Sequence, residues 1–330
     1  MLAFILRRLL IAVLTLVGIS ILSFVIIQLP PGDFLTTQIA TLTAQGDTVS
    51  QQHIQALRAQ YGLDQPVTLQ YVIWMSNVVR GDFGMSFEYK RPVWQLIREK
   101  LLLTAIVALS AIMFTWVLAI PIGIYSAVHQ RSVWDYLFTF IGFIGLSVPD
   151  FMLALLLLYF SYAHLGLSIG GLFSPQYLDA AWSVPRVLDL LKHLWIPALV
   201  LGAAGTAAFI RIIRANLIDE LGKPYVITAR AKGLPKWKVV LKYPVRVALN
   251  PFLSTVGYVL PFLVSGSVIV SVVLDLPTVG KELLQALKSQ DMYLAGTIIL
   301  MLGLMTVIGT LLSDILLVVL DPRIRMENRS

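Results

Sequence analysis

The 330-residue sequence contains no cysteine, and only 13% of its residues are charged. Without cysteine, the chain can form neither a disulfide framework nor a thiolate metal site. The scarcity of charge also excludes an ordinary soluble domain, because such a domain needs polar residues to cover its surface. The hydrophobic fraction is 58%, above the roughly 45–50% that is usual in soluble domains. We therefore expect a protein that lies in a lipid bilayer.

Catalytic and nucleotide-binding motifs are also lacking. The sequence has neither His-Glu-x-x-His nor Gly-x-Ser-x-Gly. Around Gly280-Lys281, the places of the second glycine and the hydroxyl residue of a phosphate-binding loop are taken by Asp275 and Glu282. We therefore expect a non-catalytic chain without a cofactor or metal of its own. The four histidines are scattered, without metal-ligand spacing: His53, His129, His164 and His193.

Six apolar runs are long enough to cross a bilayer, since a spanning helix needs about 20 mostly apolar residues. The first run follows Arg7-Arg8, but it is too long for a secretory signal core and no cleavage site follows it. The runs predict an all-α integral membrane protein with about six transmembrane helices. Their approximate positions are residues 9–29, 101–128, 133–162, 194–213, 248–274 and 294–320.

The distribution of basic residues predicts the orientation of these spans. Residues 211–246 hold nine basic and two acidic residues, whereas residues 30–100 hold six of each. Basic loops are retained in the cytoplasm, so both termini and the basic segment are expected on the cytoplasmic side. The same rule accounts for the net charge of +7, and nucleic acid is therefore not expected as a partner.

The external segment of residues 30–100 is too long to be a plain connector. Ser50 and Gly62 suit the start and stop of one helix, and another short helix is expected after Pro92. Such helices could lie at the membrane surface or form a platform for an external partner, and the pattern is compatible with both. Between them, residues 67–81 predict an amphipathic helix with one apolar face: Tyr71, Val72, Trp74, Met75, Val78 and Val79.

Asp150 is a candidate residue of a transport pathway. It follows Pro149 in the third apolar run, and about 16 residues at 1.5 Å per residue would put it near the middle of the bilayer. Ionisable residues at that depth are functional candidates. The alternatives are a structural hydrogen bond to a neighbouring helix and a position closer to the surface.

The cytoplasmic segment of residues 215–246 contains the block "TARAKGLPKW". Pro224 suits the first turn of a short helix, Gly233 is a stop signal, and Pro235 prevents continuation. Ala229 and Ala231 are expected to form a face of small side chains that fits a groove in another protein. The basic charge suits a helix lying on anionic lipid equally well.

The longer block "PYVITARAKGL" resembles the cytoplasmic coupling loop of binding-protein-dependent ABC importers, in particular the dipeptide/oligopeptide permease family. The general pattern of that loop is Glu-Ala-Ala, three residues and Gly, and Ala229 and Gly233 match the second Ala and the Gly. Ile227 and Thr228 depart from the pattern, but Thr-Ala-Arg-Ala-Lys-Gly is common in the peptide branch. The resemblance covers almost the whole chain, since further family segments follow in order, among them "PPGD", "YGLDQPVTLQY", "GDFGMSF", "DMYLAG" and "DPRIR".

The resemblance implies a type I importer permease, a single domain over residues 1–330, in a bacterial or archaeal inner membrane. It also implies three kinds of partner: a second homologous permease in a heterodimer, two cytoplasmic P-loop ATPases that bind ATP and Mg²⁺, and an external substrate-binding protein. The implied ATPase-coupling residues are Tyr225, Thr228, Ala229, Arg230, Ala231, Lys232, Gly233 and Leu234.

Short peptides are the substrate that the resemblance implies first. Oligosaccharides, nickel and opines are the alternatives within the same importer class. A secondary transporter or channel is the competing class. Such a carrier would show internal repeats, broken spans and buried ion-binding residues, whereas the sequence shows no clear repeat and few charges within its spans.

Overall fold

The computed structural model describes residues 2–28, 64–165, 170–178, 180–250 and 268–320. Within these ranges the only regular structure that is not helical is an isolated β-bridge between Met85 and Pro92. Four helices are long and apolar enough to cross a membrane, and a bent pair of helices makes a fifth span if its halves are counted together. The predicted all-α membrane class is therefore confirmed.

Eleven α-helices lie wholly within the described residues, together with a 3₁₀ turn at Pro175–Tyr177 and a helical stretch over residues 268–273. In chain order they are α1 (Leu2–Gln28), α2 (Val67–Val79), α3 (Val93–Val128), α4 (Val133–Ser147), α5 (Asp150–Leu165), α6 (Val184–Leu221), α7 (Pro224–Ala231), α8 (Lys236–Lys242), α9 (Pro244–Ala248), α10 (Val279–Lys288) and α11 (Met292–Leu320).

Four of the six predicted spans are single helices: α1, α3, α6 and α11. The helix expected after Pro92 is not separate, because it continues into the second span to give the 36 residues of α3. α6 has 38 residues, or about 57 Å at 1.5 Å per residue, so it extends well beyond a hydrocarbon core of about 30 Å. Most of the predicted fifth span lies outside the described residues. The helix predicted between Ser50 and Tyr61 lies wholly outside them.

The third predicted span is not one straight helix. α4 and α5 meet at a bend of 102°, and Val148 between them has an extended backbone. Pro149 explains the break, because proline has no N–H to donate and disfavours helical backbone in the residue before it. The prediction of a continuous helix over residues 133–162 was therefore wrong.

Contacts divide the chain into two compact units, residues 1–104 with 278–307 and residues 105–277 with 308–330. In the first unit, the core surrounds Trp74 of α2, whose side chain is 1% exposed. The ring of Phe24 stacks on Trp74 with centroids 6.0 Å apart. Gly296 allows α11 to approach the indole, since a Cβ there would lie 3.2 Å from Cζ2 of Trp74.

The amphipathic helix predicted after Pro66 is confirmed as α2, with two changes in its inner face. Tyr71, Met75 and Val78 pack against the core around Trp74, as expected. Val72 and Val79 were assigned to the same face, but their side chains are 57% and 80% exposed. The face that packs in the core is therefore narrower than the apolar pattern suggested.

A buried carboxylate orders one end of the first unit. Asp291, immediately before α11, has no exposed surface. It accepts hydrogen bonds from Ser86 Oγ at 2.6 Å, from the Glu88 N–H at 3.1 Å and from the Leu294 N–H at 3.1 Å. Burial raises the pKa of Asp291, while these hydrogen bonds act in the opposite direction. The carboxylate thus caps α11 and holds the hairpin of residues 85–92.

Contacts between loops agree with the predicted order of spans. The Ser86–Asp291 hydrogen bond and the bond from Gly171 N to Leu274 O, at 2.7 Å, each join segments that were predicted on the external side. An ion pair between Asp135 and Arg214 joins two segments predicted on the cytoplasmic side. The orientation itself stays a prediction of the positive-inside rule.

Replacing Asp291 with alanine should destabilise the protein by about 2–4 kcal/mol, because three donors would lose their acceptor, and two of these hydrogen bonds are buried. The measurement is thermal unfolding of the purified protein in detergent. Asp64→Ala is the matched control, since that residue is exposed in the same unit and its replacement should change stability by less than about 0.5 kcal/mol. Equal stability of the two variants would contradict the role assigned to Asp291.

Candidate functional site

The basic segment folds as three short helices that follow α6. Gly222 ends α6, and Pro224 occupies the first position of α7, where the missing N–H removes no intrahelical hydrogen bond. α7 ends at Ala231, and the Gly233 N–H donates to Arg230 O at 3.0 Å. Pro235 then precedes α8. The start, stop and break predicted for this segment are therefore confirmed.

Gly233 is required for its backbone conformation rather than for its small size. Its φ is +76°, and an added Cβ would meet nothing within 4 Å. A left-handed backbone costs an L-residue with a side chain roughly 1–2 kcal/mol. Gly222 differs, because its φ is −84° and an added Cβ would lie 3.9 Å from its nearest neighbour, Asp219 O.

One face of α7 packs on α8 through a small apolar cluster. Val226 and Ala229 are buried together with Val239 of α8, and Leu234 and Tyr243 pack against them. Ala229, at 5% exposure, therefore points into the segment.

The predicted docking face combined Ala229 with Ala231, and the assignment of Ala229 to that face was wrong. Residues two apart on an α-helix are separated by about 200°, since each residue turns the helix by about 100°. With Ala229 buried, Ala231 is exposed on the other side of α7. The two side chains therefore cannot contact the same partner surface.

The outer face of α7 is exposed and mixed in character. Its largest apolar side chain is Ile227, which is 58% exposed. Ile227 was not among the predicted coupling residues, because it stands where the general family pattern has Glu. The sequence did contain a signal for Ile227: Val226 and Ala229 are spaced by three residues, which indicates one buried face and leaves Ile227 on the exposed side. Of the predicted residues, Leu234 is half-buried, Ala229 is buried, and the others are exposed: Tyr225, Thr228, Arg230, Ala231, Lys232 and Gly233.

Two side chains on α7 stabilise its start. The Tyr225 hydroxyl donates a hydrogen bond to Glu220 Oε2 at the end of α6. Burial, together with this hydrogen bond, raises the pKa of Tyr225 to about 12, so the hydroxyl keeps its proton at neutral pH. The Thr228 hydroxyl donates to Pro224 O at 3.0 Å. One hydrogen bond therefore joins α7 to the end of α6, and the other lies within the first turn of α7.

An ion pair fixes the part of α6 from which this segment extends. Arg214 donates two hydrogen bonds to Asp135 in the first turn of α4, from Nε to Oδ1 and from Nη2 to Oδ2, both 2.9 Å long. The Arg131 N–H adds a third bond to Oδ2 at 3.0 Å. Asp135 is only 2% exposed. Sequence reasoning used Arg214 only as the marker of a span end and missed this pair.

The third short helix returns the chain to the membrane helices. Val245 and Ala248 of α9 are buried in one cluster with Leu217 of α6 and Ala127 near the end of α3. α9 also packs on α8, and α8 on α7. A continuous series of contacts therefore links the exposed face of α7 to α6.

Asp150 belongs to a different element, where it is the first residue of α5. Its side chain is half-buried, and no hydrogen bond or ion pair joins it to the residues that the structure describes. The predicted depth assumed a straight helix, and the bend before Asp150 removes that basis. A role in the pathway stays a prediction.

Within the described ranges, no group of three or more His, Cys, Asp or Glu side chains is arranged to hold a metal ion. One open groove has a volume of about 430 Å³ and is mostly apolar. Its lining residues are Pro121, Ile122, Tyr125, Trp134 and Phe138.

Two family models match the chain along most of its length. One, described as "Binding-protein-dependent transport system inner membrane component", matches residues 119–326, and the model of the corresponding N-terminal region matches residues 1–110.

Similar curated proteins match over nearly the full length of both chains. The oligopeptide transport system permease protein AppB of Bacillus subtilis is 35% identical over 326 residues, which are 98% of this chain and 99% of the relative. A putative peptide permease protein of Brucella suis is 34% identical, over 99% and 100% of the two chains. The dipeptide transport system permease protein DppB of Escherichia coli K12 is 30% identical, over 98% and 99%.

Replacing Gly233 with valine should loosen the turn between α7 and α8. The strain of about 1–2 kcal/mol should increase local opening about 5- to 30-fold. Limited trypsin digestion can measure it, because Arg230, Lys232 and Lys236 are exposed cleavage positions. Gly222→Val is the control, since its φ is already negative, and Gly233→Asn should be milder because Asn tolerates positive φ. Equal cleavage rates in the two valine variants would refute this role.

Removing the two members of the ion pair should have unequal effects. Arg214→Gln leaves the buried Asp135 carboxylate without its cation and should cost about 3 kcal/mol. Asp135→Asn should cost less, because the Arg214 side chain is 33% exposed and water can solvate it. Thermal unfolding in detergent tests this order, and the double variant should recover part of the loss. The reverse order of stability would show that Asp135 is better solvated than its burial indicates.

Proposed function

The chain belongs to the family of binding-protein-dependent transport system inner membrane components, and on this basis we propose that it is the permease subunit of an ATP-driven importer of short peptides. It is a non-catalytic, multi-pass protein of the inner membrane. In the proposal it forms half of the translocation pathway, and both of its termini lie in the cytoplasm.

The observation that carries the proposed coupling is that α7 packs on α8 through one face and leaves its other face exposed. Val226 and Ala229 hold α7 against α8, so Ile227 and Ala231 are left for a partner. The apolar part of this mixed face fits a hydrophobic groove in another protein. We assign that groove to a cytoplasmic P-loop ATPase, with one ATPase for each of two permeases.

The packing also provides a route for the conformational change. In the proposal, ATP and Mg²⁺ bind to the two ATPases, and their closure displaces α7. α7 moves with α8 and α9, which pack in series onto α6. The Arg214–Asp135 pair then links α6 to α4. Displacement at the cytoplasmic surface is thereby converted into movement of membrane helices.

The substrate proposal comes from the relatives. The relatives above are named as permeases of oligopeptide, peptide or dipeptide transport, the Brucella suis protein as a putative one. This favours short peptides over oligosaccharides, nickel or opines. An external binding protein would deliver the peptide, and a second, homologous permease would complete the pathway.

A secondary transporter or channel is the weaker alternative. The break between α4 and α5 is a feature that such carriers share. The family match over both halves of the chain outweighs it, because the ATP-driven class accounts for α7 as well. Solute movement by the purified chain alone in liposomes, without ATP, would overturn the importer proposal.

Replacing Ile227 with glutamate should separate docking from folding. A charge in the apolar contact should weaken ATPase binding by about 2 kcal/mol, or roughly 30-fold. Peptide uptake and peptide-stimulated ATP hydrolysis should fall with it, whereas the melting temperature of the isolated chain should not change. The assay is transport by the reconstituted complex, together with co-purification of the ATPases.

Two further variants give this test its controls. Ile227→Leu keeps an apolar side chain and should retain coupling. Ala229→Glu places a charge against Val226 and Val239, so it should lower the melting temperature as well as uptake. Normal uptake in Ile227→Glu would reject α7 as the docking helix.

A further inference from the structure

α8 and α9 carry exposed basic side chains that the proposed docking of α7 does not use. Residues 223–250 contain seven basic residues and no acidic one. Four of the basic residues lie on α8 and α9: Lys236, Lys238, Lys242 and Arg246, all of them exposed. A surface with one sign of charge attracts a partner of the opposite sign.

An apolar stripe lies beside these lysines on α8. Trp237 is 66% exposed and Leu241 is 53% exposed, and the two are one helical turn apart. Val239, about 200° away from each around the helix, is fully buried in the cluster with α7. α8 therefore presents a tryptophan and a leucine outwards, with Lys238 and Lys242 next to them in sequence.

The packing of α9 locates α8 near the membrane surface. Val245 and Ala248 lie in one cluster with Ala127, which is one residue from the end of the membrane helix α3. Only Tyr243 separates α8 from α9. α8 thus adjoins, through α9, the end of α3 that is predicted on the cytoplasmic side, and we place that end at the level of the lipid headgroups.

We propose that α8 is a membrane-surface anchor that binds anionic phospholipid headgroups. Trp237 and Leu241 enter the interface, and Lys238 and Lys242 contact the phosphates. Tryptophan favours the membrane interface, and juxtamembrane lysines are attracted to anionic lipid. The segment then has two functions on two helices, since α7 binds protein and α8 binds lipid. The inference needs only the membrane-embedded chain, and it does not depend on the importer function.

Quenching of Trp237 fluorescence by brominated lipid tests the anchor. The full-length protein is reconstituted in phosphatidylcholine bilayers that contain either brominated phosphatidylglycerol or brominated phosphatidylcholine. The chain has seven tryptophans, so the contribution of Trp237 is the difference between the wild type and Trp237→Phe. We expect that contribution to be quenched more strongly by the brominated anionic lipid at equal mole fraction.

A lysine variant tests the charge contribution. Lys238→Gln/Lys242→Gln should lower the preference of the Trp237 site for phosphatidylglycerol by roughly 25-fold, about fivefold for each lysine at low salt. Lys90→Gln/Arg91→Gln is the matched control. It removes the same charge from two exposed residues on the side predicted to be external, and it should leave the preference unchanged.

Two results would overturn the proposal. Equal quenching by both brominated lipids would show that α8 has no selectivity for anionic headgroups. Absence of quenching, with a shift of Trp237 emission when the ATPases are added, would show that α8 is a protein contact. Neither result depends on peptide uptake, so failure of the anchor is distinguishable from failure of the importer function.

Discussion

The bidentate pair between Arg214 and Asp135 is the interaction on which the end of the molecule that carries α7, α8 and α9 depends. It joins two helices, α4 and α6, near the point where the chain leaves the apolar region. A buried carboxylate without its cation is costly, so the pair restricts how these helices can move apart. α7, α8 and α9 all follow α6 beyond this point, and the pair and the cluster around Leu217 together set their position.

The first unit uses the same physical device at another helix start. Asp291 precedes α11, and Asp135 lies in the first turn of α4. Both carboxylates are buried, and both lie where unpaired N–H groups and the helix dipole favour a negative charge. Each also joins its helix to a segment distant in sequence, Asp291 to the hairpin of residues 85–92 and Asp135 to α6. Two buried acids thus order two loop regions.

The lengths of the apolar runs and the positions of turn residues predicted much of this architecture. They did not predict which prolines interrupt a helix. The four single-helix spans followed from apolar length, and the bounds of α7 followed from Pro224 and Gly233. Pro121 and Pro197 lie inside intact helices, whereas Pro149 lies at a sharp bend. The local sequence does not distinguish these cases, because neighbouring helices decide whether the freed carbonyls are satisfied. The spacing of Val226 and Ala229 indicated the inward face of α7, but the sequence did not show that α8 covers it.

The length of α6 has a mechanical consequence. Leu221 lies seven residues beyond Arg214, and Val184 lies 30 residues before it, which gives arms of about 10 Å and 45 Å at 1.5 Å per residue. A rigid rod that pivots at Arg214 would amplify motion about fourfold, so a shift of about 1 Å beside α7 would become about 4 Å at Val184. Leverage of this size would let a small stroke at one membrane face produce a large opening at the other.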